Sequence, residues 1–268
     1  MSFKYVHGYT ERESIRLEDQ ANCLSELLHY DSVFPENSVI LEAGCGVGAQ
    51  TRIVALKNPS SKFISIDISE DSLNKARSVV QSLNINNVEF QTGDIFDLKF
   101  PDECFDHIFI CFVLEHLPSP SNALKALKRV LKKGGTITLI EGDHGSAYFY
   151  PYSEYAEKVI NLQVKLQAMA GGNALIGRQL YPLLIEAGFK NCKVSPRMVY
   201  VDSSRPELVE GFTKNTFTAM IEGIREKAIE VSIIDKNTFD KGIQDLYRTT
   251  QVDGVFCYTF FKGVGYNV

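Results

Sequence analysis

Residues 38–50 read SVILEAGCGVGAQ, and the fold of the chain can be inferred outward from this segment. It predicts a short apolar strand, a turn that carries Gly44, Gly46 and Gly48, and a helix that continues to about residue 57. Glycine adopts positive φ angles and lets a ligand approach the backbone closely. The start of the following helix presents free N–H groups and the positive end of its dipole at the same place. This order of elements predicts a site for a nucleotide-like cofactor.

The segments that flank this turn alternate between strands and helices. Further apolar strands are predicted at 62–66, 88–91, 105–112 and 136–141, with helices at 10–29, from 69 onward and at 123–131. Fully apolar strands separated by amphipathic helices indicate a parallel sheet covered on both faces. We therefore expect residues 1–145 to form a doubly wound α/β unit.

The second half of the chain is less regular. Helices are predicted at 152–170, 180–187, 206–229 and 239–248, and strands at 192–201 and 255–262. We expect a single α/β domain with a mostly parallel, seven-stranded sheet and a helical lid. Its predicted parts are an N-terminal cap helix (1–37), the cofactor-binding core (38–145), helices with the sixth strand (146–202), the lid (203–250) and the last strand (251–268).

Composition excludes several classes of protein. The 268 residues are 44% hydrophobic and 23% charged, as in a globular protein. The net charge of -5 argues against nucleic acid as a partner, because phosphate binding favours a basic excess. No apolar run approaches the length of a membrane span or a signal peptide, so a cytoplasmic location is expected. The six cysteines lack metal-binding spacing, which predicts free thiols and no metal.

Two cofactors fit the glycine turn at this point. The run GCGVGA also matches a dinucleotide fingerprint, with Asp67 where a ribose-binding acid is expected, which would make the protein an NAD-dependent oxidoreductase. Glu42 argues against this interpretation, because a carboxylate is unfavourable beside a pyrophosphate and suits a cofactor with an ammonium and a sulfonium. Asp94, after the third strand, could accept a hydrogen bond from an adenine amine.

The chain resembles class I S-adenosylmethionine-dependent methyltransferases of the small-molecule type (methyltransferase type 11/25-like). The segments that carry the resemblance follow the family order over residues 38–143: VILEAGCGVGAQT, FISIDIS, VEFQTGDIFDLKF, FDHIFICFVLEHLPSP and LKRVLKKGGTITLIEGD. The resemblance implies a Rossmann-like sheet and S-adenosyl-L-methionine as the cofactor. A protein that binds this cofactor without catalysis remains a further alternative.

The resemblance also implies roles for particular residues. The glycine turn would line the methionine portion, Asp67 would accept hydrogen bonds from the ribose hydroxyls, and Asp94 would accept one from the adenine amine. Asp67 could instead be a helix N-terminal acid and Asp94 a turn-forming residue. The cofactor-binding residues implied are Glu42, Ala43, Gly44, Cys45, Gly46, Gly48, Asp67, Ile68, Gly93, Asp94, Ile95, Cys111, Phe112 and His116. In the N-terminal segment GYTERESIRLEDQA, which contains the start of the first helix, Tyr9, Arg16 and Gln20 either hold the cofactor's carboxylate or form a solvated face.

The acceptor side is predicted beyond the fourth and fifth strands, because ligands of open α/β sheets bind at the carboxyl ends. His116 and His144 are candidate general bases, since imidazole titrates near neutral pH. The candidate substrate-binding residues are Glu115, Glu141, Asp143, His144, Tyr148, Tyr152 and Arg178. The tyrosines either pack a helix start on the sheet or line a pocket.

The predicted function is methyl transfer from S-adenosylmethionine to a small-molecule acceptor by in-line displacement. The sequence CFVLEH after the fourth strand lacks the [DN]PP[YF] motif that the resemblance associates with methylation of nucleobase or glutamine amines. The expected partners are therefore a small-molecule acceptor and neither nucleic acid nor a membrane, with the protein a monomer or a homodimer.

Overall fold

The computed structural model describes residues 11–268, with only the backbone described for residues 11–15 and 18. Two compact units divide the chain. We call the first the sheet unit; it contains Ser25–Glu141, Ile176–Arg197 and Phe261–Val268. We call the second the helical unit; it contains Gly142–Leu175, Met198–Phe260 and, within the described chain, residues 11–24. The predicted boundaries at 145/146, 202/203 and 250/251 remain a prediction.

Seven strands form one sheet in the order β3-β2-β1-β4-β5-β7-β6. The strands are β1 (Val39–Ala43), β2 (Lys62–Asp67), β3 (Val88–Thr92), β4 (Phe105–Cys111), β5 (Leu131–Tyr150), β6 (Lys190–Val201) and β7 (Val255–Tyr266). The pairs β1–β2, β2–β3, β1–β4 and β4–β5 are parallel. This arrangement confirms the predicted seven-stranded, mostly parallel sheet.

The last strand, β7, is antiparallel to its neighbour β5. Gly134 N–H donates to Asn267 O (2.7 Å), and Asn267 N–H donates to Gly135 O (3.0 Å). Farther along β5, Ser146 Oγ accepts from Thr259 N–H (2.9 Å). Residue numbers rise along β5 while those of their partners fall along β7, so these two strands are antiparallel.

Ten α-helical segments lie before, between or after the strands in the described chain. They are α1 (Glu11–His29), α2 (Thr51–Lys57), α3 (Glu70–Ser82), α4 (Pro120–Val130), α5 (Glu154–Met169), α6 (Leu180–Glu186), α7 (Pro206–Leu208), α8 (Ala219–Gly223), α9 (Arg225–Glu230) and α10 (Lys236–Arg248). The predicted cap of α3 is confirmed, because Ser69 Oγ accepts from Ser72 N–H (3.2 Å). Ser153 caps α5 in the same way, and Pro120 occupies the first turn of α4, where a missing N–H is tolerated.

Two predicted elements differ in the structure. The strand predicted at 136–141 extends over Leu131–Tyr150, so Tyr148 and Tyr150 lie in β5 and not at a helix start. The single helix predicted at 206–229 is instead α7, a π-helix over Val209–Thr218, and then α8 and α9. Both differences arise from tertiary packing, which periodicity along the chain does not report.

A continuous apolar core fixes the strand ends of the sheet unit. Ile108, Ile110 and Leu139 are fully buried in the middle of the sheet, and α4 and α6 contribute Leu127 and Leu184 to the same cluster. Burial of such side chains stabilises the fold by roughly 1.5–3 kcal/mol each. The loops that follow the strands are therefore held on a rigid base.

Candidate functional site

The glycine loop after β1 is tied directly to the end of β2. Gly44 N–H and Cys45 N–H both donate to Ile66 O, at 2.8 and 3.0 Å. Gly44, Gly46 and Gly48 have φ angles of 79°, 53° and 79°, in the left-handed region that favours glycine. Most other residues would be strained in this backbone conformation, so glycine is favoured at all three positions.

The three glycines face different surroundings. A Cβ atom on Gly44 would lie 2.6 Å from a methyl group of Val113, and one on Gly48 would lie 2.9 Å from Ala76 Cβ. A Cβ atom on Gly46 would meet no atom within 4 Å. Gly44 and Gly48 are therefore required for packing, whereas Gly46 borders open space.

This contrast predicts different results for two substitutions. Gly46→Asn should fold nearly as well as the wild type, because asparagine tolerates the left-handed conformation, and it should weaken S-adenosylmethionine binding at least tenfold by filling the open space. Gly48→Ala should lower the free energy of unfolding by about 1–3 kcal/mol through overpacking against Ala76. Urea unfolding and calorimetric titration measure the two quantities. Wild-type affinity in folded Gly46→Asn would contradict the assignment of this space to the cofactor.

Asp67 is the last residue of β2, and its carboxylate contacts the glycine loop. Its Oδ2 accepts from Gly46 N–H (2.8 Å), and its Oδ1 accepts from Ser69 N–H (2.9 Å) at the start of α3. Burial raises the pKa of Asp67, and these backbone hydrogen bonds oppose the shift. The carboxylate is thus fixed beside the open space at Gly46. Its bond to Ser69 also fits the alternative role of a helix N-terminal acid.

Glu42 lies within β1 and is 3% exposed. Its Oε2 accepts from the Ser65 hydroxyl on β2 (2.6 Å). Burial raises the pKa of Glu42 to about 7, and the hydrogen bond from Ser65 opposes the shift while the charge of Asp67 adds to it. The group therefore titrates close to neutral pH and would respond to a cation placed beside it.

The loop after β3 lies next to Asp67. Gly93 N–H donates to Asp67 O (3.0 Å), and the exposed Asp94 side chain accepts from Phe96 N–H (2.8 Å) at the start of a short 3-10 helix. Asp94 is thus turn-forming, with its carboxylate still open to solvent. Ile95 is buried, whereas Ile68 is 59% exposed.

The loop after β4 is held by a buried carboxyl group. Phe112 has a φ of 59°, a rare conformation for a non-glycine residue that is concentrated at functional sites. Glu141 Oε1 accepts from Val113 N–H (3.0 Å) and Leu114 N–H (2.8 Å). Burial and the nearby charge of Glu115 raise the pKa of Glu141, and its Oε2 has no hydrogen-bond partner in the described part of the chain. Burial likewise raises the pKa of the Cys111 thiol, so this cysteine is not a nucleophile at neutral pH.

Glu115 and His116 form a close pair on the short 3-10 helix Leu114–His116. His116 Nε2 lies 3.6 Å from Glu115 Oε1, and the two side chains are 16% and 12% exposed. The structure thus brings Glu115, His116 and Glu141 to the same edge of the sheet unit.

The remaining predicted residues are distributed between the units. Tyr9 lies outside the described residues, and Arg178 is exposed on a 3-10 helix of the sheet unit. The helical unit contains Arg16, Gln20, Asp143, His144, Tyr148 and Tyr152.

Within the helical unit these side chains have different environments. Arg16 and Asp143 are buried, and His144 is 7% exposed, with its Nδ1 2.7 Å from the Tyr258 hydroxyl. The side chains of Tyr148 and Tyr152 are exposed, and their hydroxyls donate to Met198 Sδ (3.3 Å) and Glu157 Oε2 (2.9 Å).

Sequence reasoning missed three partners of these residues. They are Ser65, which binds Glu42, the backbone of residues 113–114, which binds Glu141, and Tyr258, which binds His144. Each lies more than 20 residues away along the chain. The one local signal was Gly142, a small residue in β5 opposite the Tyr258 hydroxyl.

The described residues contain no group of three or more His, Cys, Asp and Glu side chains that could hold a metal ion. All six cysteines are free, as predicted. Across residues 11–268, no helix combines the length and apolarity needed to cross a membrane.

Two surface depressions of about 410 and 420 Å³ lie elsewhere in the sheet unit. Basic residues line both, and two of these are paired with acids: Arg129 with Asp102 (2.6 Å) and Lys132 with Asp106 (2.7 Å). The second depression borders the amino ends of β1, β4 and β5. Ligands of parallel α/β sheets bind at the carboxyl ends, where the glycine loop lies.

Comparison with known proteins shows which family the chain matches. Residues 35–188, more than half of the chain, match a family model described as a methyltransferase domain. An uncharacterised methyltransferase of Schizosaccharomyces pombe is 34% identical over 156 residues, covering 56% of this chain and 56% of that protein. Demethylmenaquinone methyltransferase of Listeria welshimeri is 32% identical over 103 residues, covering 38% and 44%. The chain thus spans about half the length of these curated relatives.

A solved structure extends the likeness to the whole fold. Phosphoethanolamine N-methyltransferase 2 of Haemonchus contortus, in complex with S-adenosyl-L-methionine, has a TM-score of 0.58 and 15% identity. The match covers 95% of this chain and 57% of that chain. At this identity the likeness concerns the architecture and not the substrate.

Proposed function

The chain belongs to the family of class I S-adenosylmethionine-dependent methyltransferases, and we propose that it transfers a methyl group from this cofactor to a small-molecule acceptor. S-adenosylmethionine supplies a methyl group already activated on a sulfonium. The family match also removes the NAD-dependent oxidoreductase alternative. The specific acceptor and the roles of individual residues are part of the proposal.

One observation carries the cofactor assignment: a fixed carboxylate, Asp67, borders an open space at Gly46 where the backbone has no side chain. A carboxylate in this position can accept hydrogen bonds from two vicinal hydroxyls, as a ribose offers. The exposed Ile68 provides an apolar surface on which an adenine ring would pack, and the open carboxylate of Asp94 provides an acceptor for its amine. The residues present therefore fit the cofactor.

Glu42 would complement the cationic portion of the cofactor. Its buried carboxyl titrates near neutral pH, so a neighbouring ammonium or sulfonium would favour the ionised form. A pyrophosphate would have the opposite effect. The remaining loop residues would contribute backbone groups and contact surface to the cofactor; they are Ala43, Gly44, Cys45, Gly48, Gly93, Ile95, Cys111 and Phe112. The carboxylate of the cofactor would be bound by Arg16, Gln20 and Tyr9.

The acceptor would be bound by the polar groups after β4 and along β5. Glu115 and Glu141 are the acids of this set, and His116 and His144 are its candidate bases. A base is needed only for a poorly nucleophilic acceptor such as a hydroxyl or an ammonium. For other acceptors, proximity and alignment supply the rate enhancement. Asp143, Tyr148, Tyr152 and Arg178 remain proposed contacts of the acceptor.

A small molecule is favoured over a macromolecule for two reasons. The chain carries a net charge of -5, which opposes binding to nucleic acid. The names of the Listeria relative and the Haemonchus structure refer to a quinone and to phosphoethanolamine, both of which are small molecules. These names define the first probes to test, with no claim that either compound is the acceptor.

The test uses S-adenosylmethionine tritiated in its methyl group. The protein is incubated separately with a metabolite extract freed of macromolecules, a protein extract and total nucleic acid, and then with three probes: a naphthoquinol, phosphoethanolamine and catechol. We expect label in the metabolite extract and in at least one probe, with folded Gly46→Asn as the matched control. Label in a macromolecular pool alone would contradict the small-molecule assignment. Tight cofactor binding without transfer to any pool would favour a non-catalytic binding protein.

A further inference from the structure

The glycine loop is anchored at both ends within the sheet unit. Its first residues are tied to the end of β2 through Ile66 O and the Asp67 carboxylate. Its last residues lead to Gln50, which accepts backbone hydrogen bonds from the first turn of α2, and Gln50 Oε1 lies 2.7 Å from His29 Nε2. His29 is the last residue of α1. The imidazole therefore joins the end of one helix to the start of another.

The imidazole of His29 is buried and neutral. Its exposure is 0%, and its ring centroid lies 5.9 Å from that of Phe109 in β4. Burial lowers the pKa of His29 to about 4, and the hydrogen bond to Gln50 opposes this shift. The positive charges of Lys262 and Lys57 lower the pKa further. At neutral pH the ring therefore has one donor nitrogen and one acceptor nitrogen.

Two further buried polar groups meet the other ring nitrogen. His29 Nδ1 lies 3.3 Å from Ser32 Oγ, and Ser32 Oγ accepts from Lys262 Nζ (3.0 Å). Lys262 lies on β7 and is 4% exposed, and Ser32 is 2% exposed. An ammonium group only donates, so the hydroxyl proton of Ser32 is available to Nδ1.

The direction of these bonds follows from the groups at the two ends. The atom of Gln50 that meets the ring is its carbonyl oxygen, which only accepts, so the proton of His29 lies on Nε2. Nδ1 then carries the lone pair and accepts from the Ser32 hydroxyl. Each donor in this series therefore meets an acceptor. We call the series the His29 relay; it consists of Lys262, Ser32, His29 and Gln50.

An ion cluster fixes the far end of the His29 relay. Asp31 Oδ1 accepts from Lys262 Nζ (2.7 Å), and its Oδ2 accepts from Arg197 Nη2 (2.6 Å). The Tyr30 ring covers the Arg197 guanidinium at 4.4 Å. Burial would raise the pKa of Asp31, but the hydrogen bonds from the two cations lower it. All of these groups belong to the sheet unit, and packing against β4 alone would require only an apolar ring in place of the imidazole.

We propose that His29 is a positioning residue for the cofactor: through Gln50 it fixes the start of α2, and thereby the glycine loop that would hold S-adenosylmethionine. Ser32 and Lys262 keep the imidazole in the Nε2–H tautomer that the bond to Gln50 requires. This inference rests on the proposed cofactor site at Gly46. Gln50 is four residues beyond Gly46, so a shift of the helix start moves the backbone that borders the open space.

The first test examines the imidazole itself and needs neither cofactor nor activity. Nitrogen-15 NMR of imidazole-labelled wild-type protein reports the tautomer and protonation of each histidine, and the signal lost in His29→Phe identifies His29. We expect a neutral ring at pH 7 with its proton on Nε2. An Nδ1–H tautomer, or a protonated imidazolium at this pH, would overturn the proposal.

The second test measures cofactor affinity in a double-mutant cycle. His29→Phe keeps an aromatic ring in the core and removes the hydrogen bond to Gln50, so the Kd of S-adenosylmethionine should rise about threefold to tenfold, the effect of one net hydrogen bond. Gln50→Met should cause a similar rise. In that background His29→Phe should have no further effect, because the two residues act as one unit. Additive losses in the double variant, or a wild-type Kd in either single variant, would overturn the proposal.

Asn87→Ala is the matched control, because it removes hydrogen bonds from the opposite end of the same helix. Asn87 Nδ2 donates to Ala55 O (3.2 Å) and Asn58 O (3.0 Å). The variant should unfold at a lower temperature than the wild type and keep its Kd within twofold. A rise in Kd equal to that of His29→Phe would show that lost stability alone weakens binding, and would overturn the proposal. Gln50 is only half-buried, so Gln50→Met keeps the test decisive if His29→Phe does not fold.

Titration of Asp67→Ala and Gly46→Asn in the same series distinguishes the failure of this inference from the failure of the proposed cofactor site. If both variants bind S-adenosylmethionine as the wild type does, the site at the glycine loop is wrong and the role of His29 falls with it. If both lose affinity while His29→Phe and Gln50→Met do not, only the role of His29 is wrong.

Discussion

Asp67→Ala should weaken S-adenosylmethionine binding tenfold to several hundredfold. Charge-assisted hydrogen bonds contribute about 1.5–3 kcal/mol each in net terms, and tenfold in affinity corresponds to about 1.4 kcal/mol. Asp67 already accepts a hydrogen bond from Gly46 N–H, so its carboxylate stands where the ribose hydroxyls would meet it. Calorimetric titration of the cofactor into the variant measures the loss directly.

The control for this substitution is Asp97→Ala. Asp97 is an exposed aspartate of the next loop, paired with Lys99 at 2.6 Å, and it has no predicted role in the site. Its replacement should leave cofactor affinity within twofold. Thermal unfolding of both variants verifies that the titrations report folded protein. Wild-type affinity in folded Asp67→Ala would favour its alternative role as a helix N-terminal acid.

Glu42→Gln should change both stability and binding, because Glu42 is a buried acid with a raised pKa. The pKa of this carboxyl rises from 4.5 to about 7 on folding, mainly through burial. Between these values the folded chain binds a proton that the unfolded chain has released. The stability that the group contributes therefore falls as pH rises through this window, by up to about 1.4 kcal/mol per pH unit and on the order of 3 kcal/mol in total.

Urea unfolding at several pH values between 4 and 8 should reveal this slope as a difference between the two proteins. The wild type should lose stability more steeply than Glu42→Gln, which has no proton to release at this position. Glu89→Gln is the matched control, because Glu89 is an exposed strand glutamate whose pKa is lowered by Lys62. Parallel stability curves for the wild type and Glu42→Gln would contradict the raised pKa.

The same variant tests the proposed role of Glu42 toward a cationic cofactor. Binding of S-adenosylmethionine to the wild type should release a proton near pH 6–7, because the cation favours the ionised carboxylate. Affinity should therefore fall as pH drops below about 7 in the wild type, and it should depend less on pH in Glu42→Gln. Calorimetry in two buffers of different ionisation enthalpy measures the proton release.

The sheet and its cofactor edge could largely be predicted from sequence, for physical reasons that particular elements illustrate. The strands β1, β2 and β4 are short apolar runs buried on both faces, so composition alone identifies them. The cap of α3 by Ser69 is a local interaction between residues three apart. Because parallel strands present their carboxyl ends at one edge, Glu42, Asp67 and the loop after β4 could be grouped without knowing any long-range contact.

The parts that could not be predicted depend on distant partners. The extension of β5 to Leu131 involves two distant partners: Phe105 of β4 pairs with Leu131, and Asn267, near the far end of the sequence, pairs with Gly134 and Gly135. Local sequence there, KKGG, indicates a helix stop and contains no sign of this pairing. The π-helix Val209–Thr218 likewise follows from packing of Phe212 and Phe217 against β7. Periodicity along the chain carries no information on either.

The candidate site likewise contains features that the local sequence predicts and features that depend on distant residues. Residue types after each strand marked Glu115, His116, Glu141 and His144 as candidates. One carboxyl oxygen of Glu141, however, accepts hydrogen bonds from the backbone of the loop after β4, and the Tyr258 hydroxyl is hydrogen-bonded to His144. These pairings couple residues that are 27 or more positions apart, and only the folded chain brings them together.

A crystal structure of the protein with S-adenosylhomocysteine, the demethylated cofactor, tests the central claim most directly. We predict that the ligand occupies the open space at Gly46, with its ribose hydroxyls within hydrogen-bonding distance of Asp67 and its adenine on Ile68. Its amine should lie on the side of the loop that faces Glu42. A ligand bound elsewhere, or a glycine loop that stays empty at saturating ligand concentration, would contradict the account.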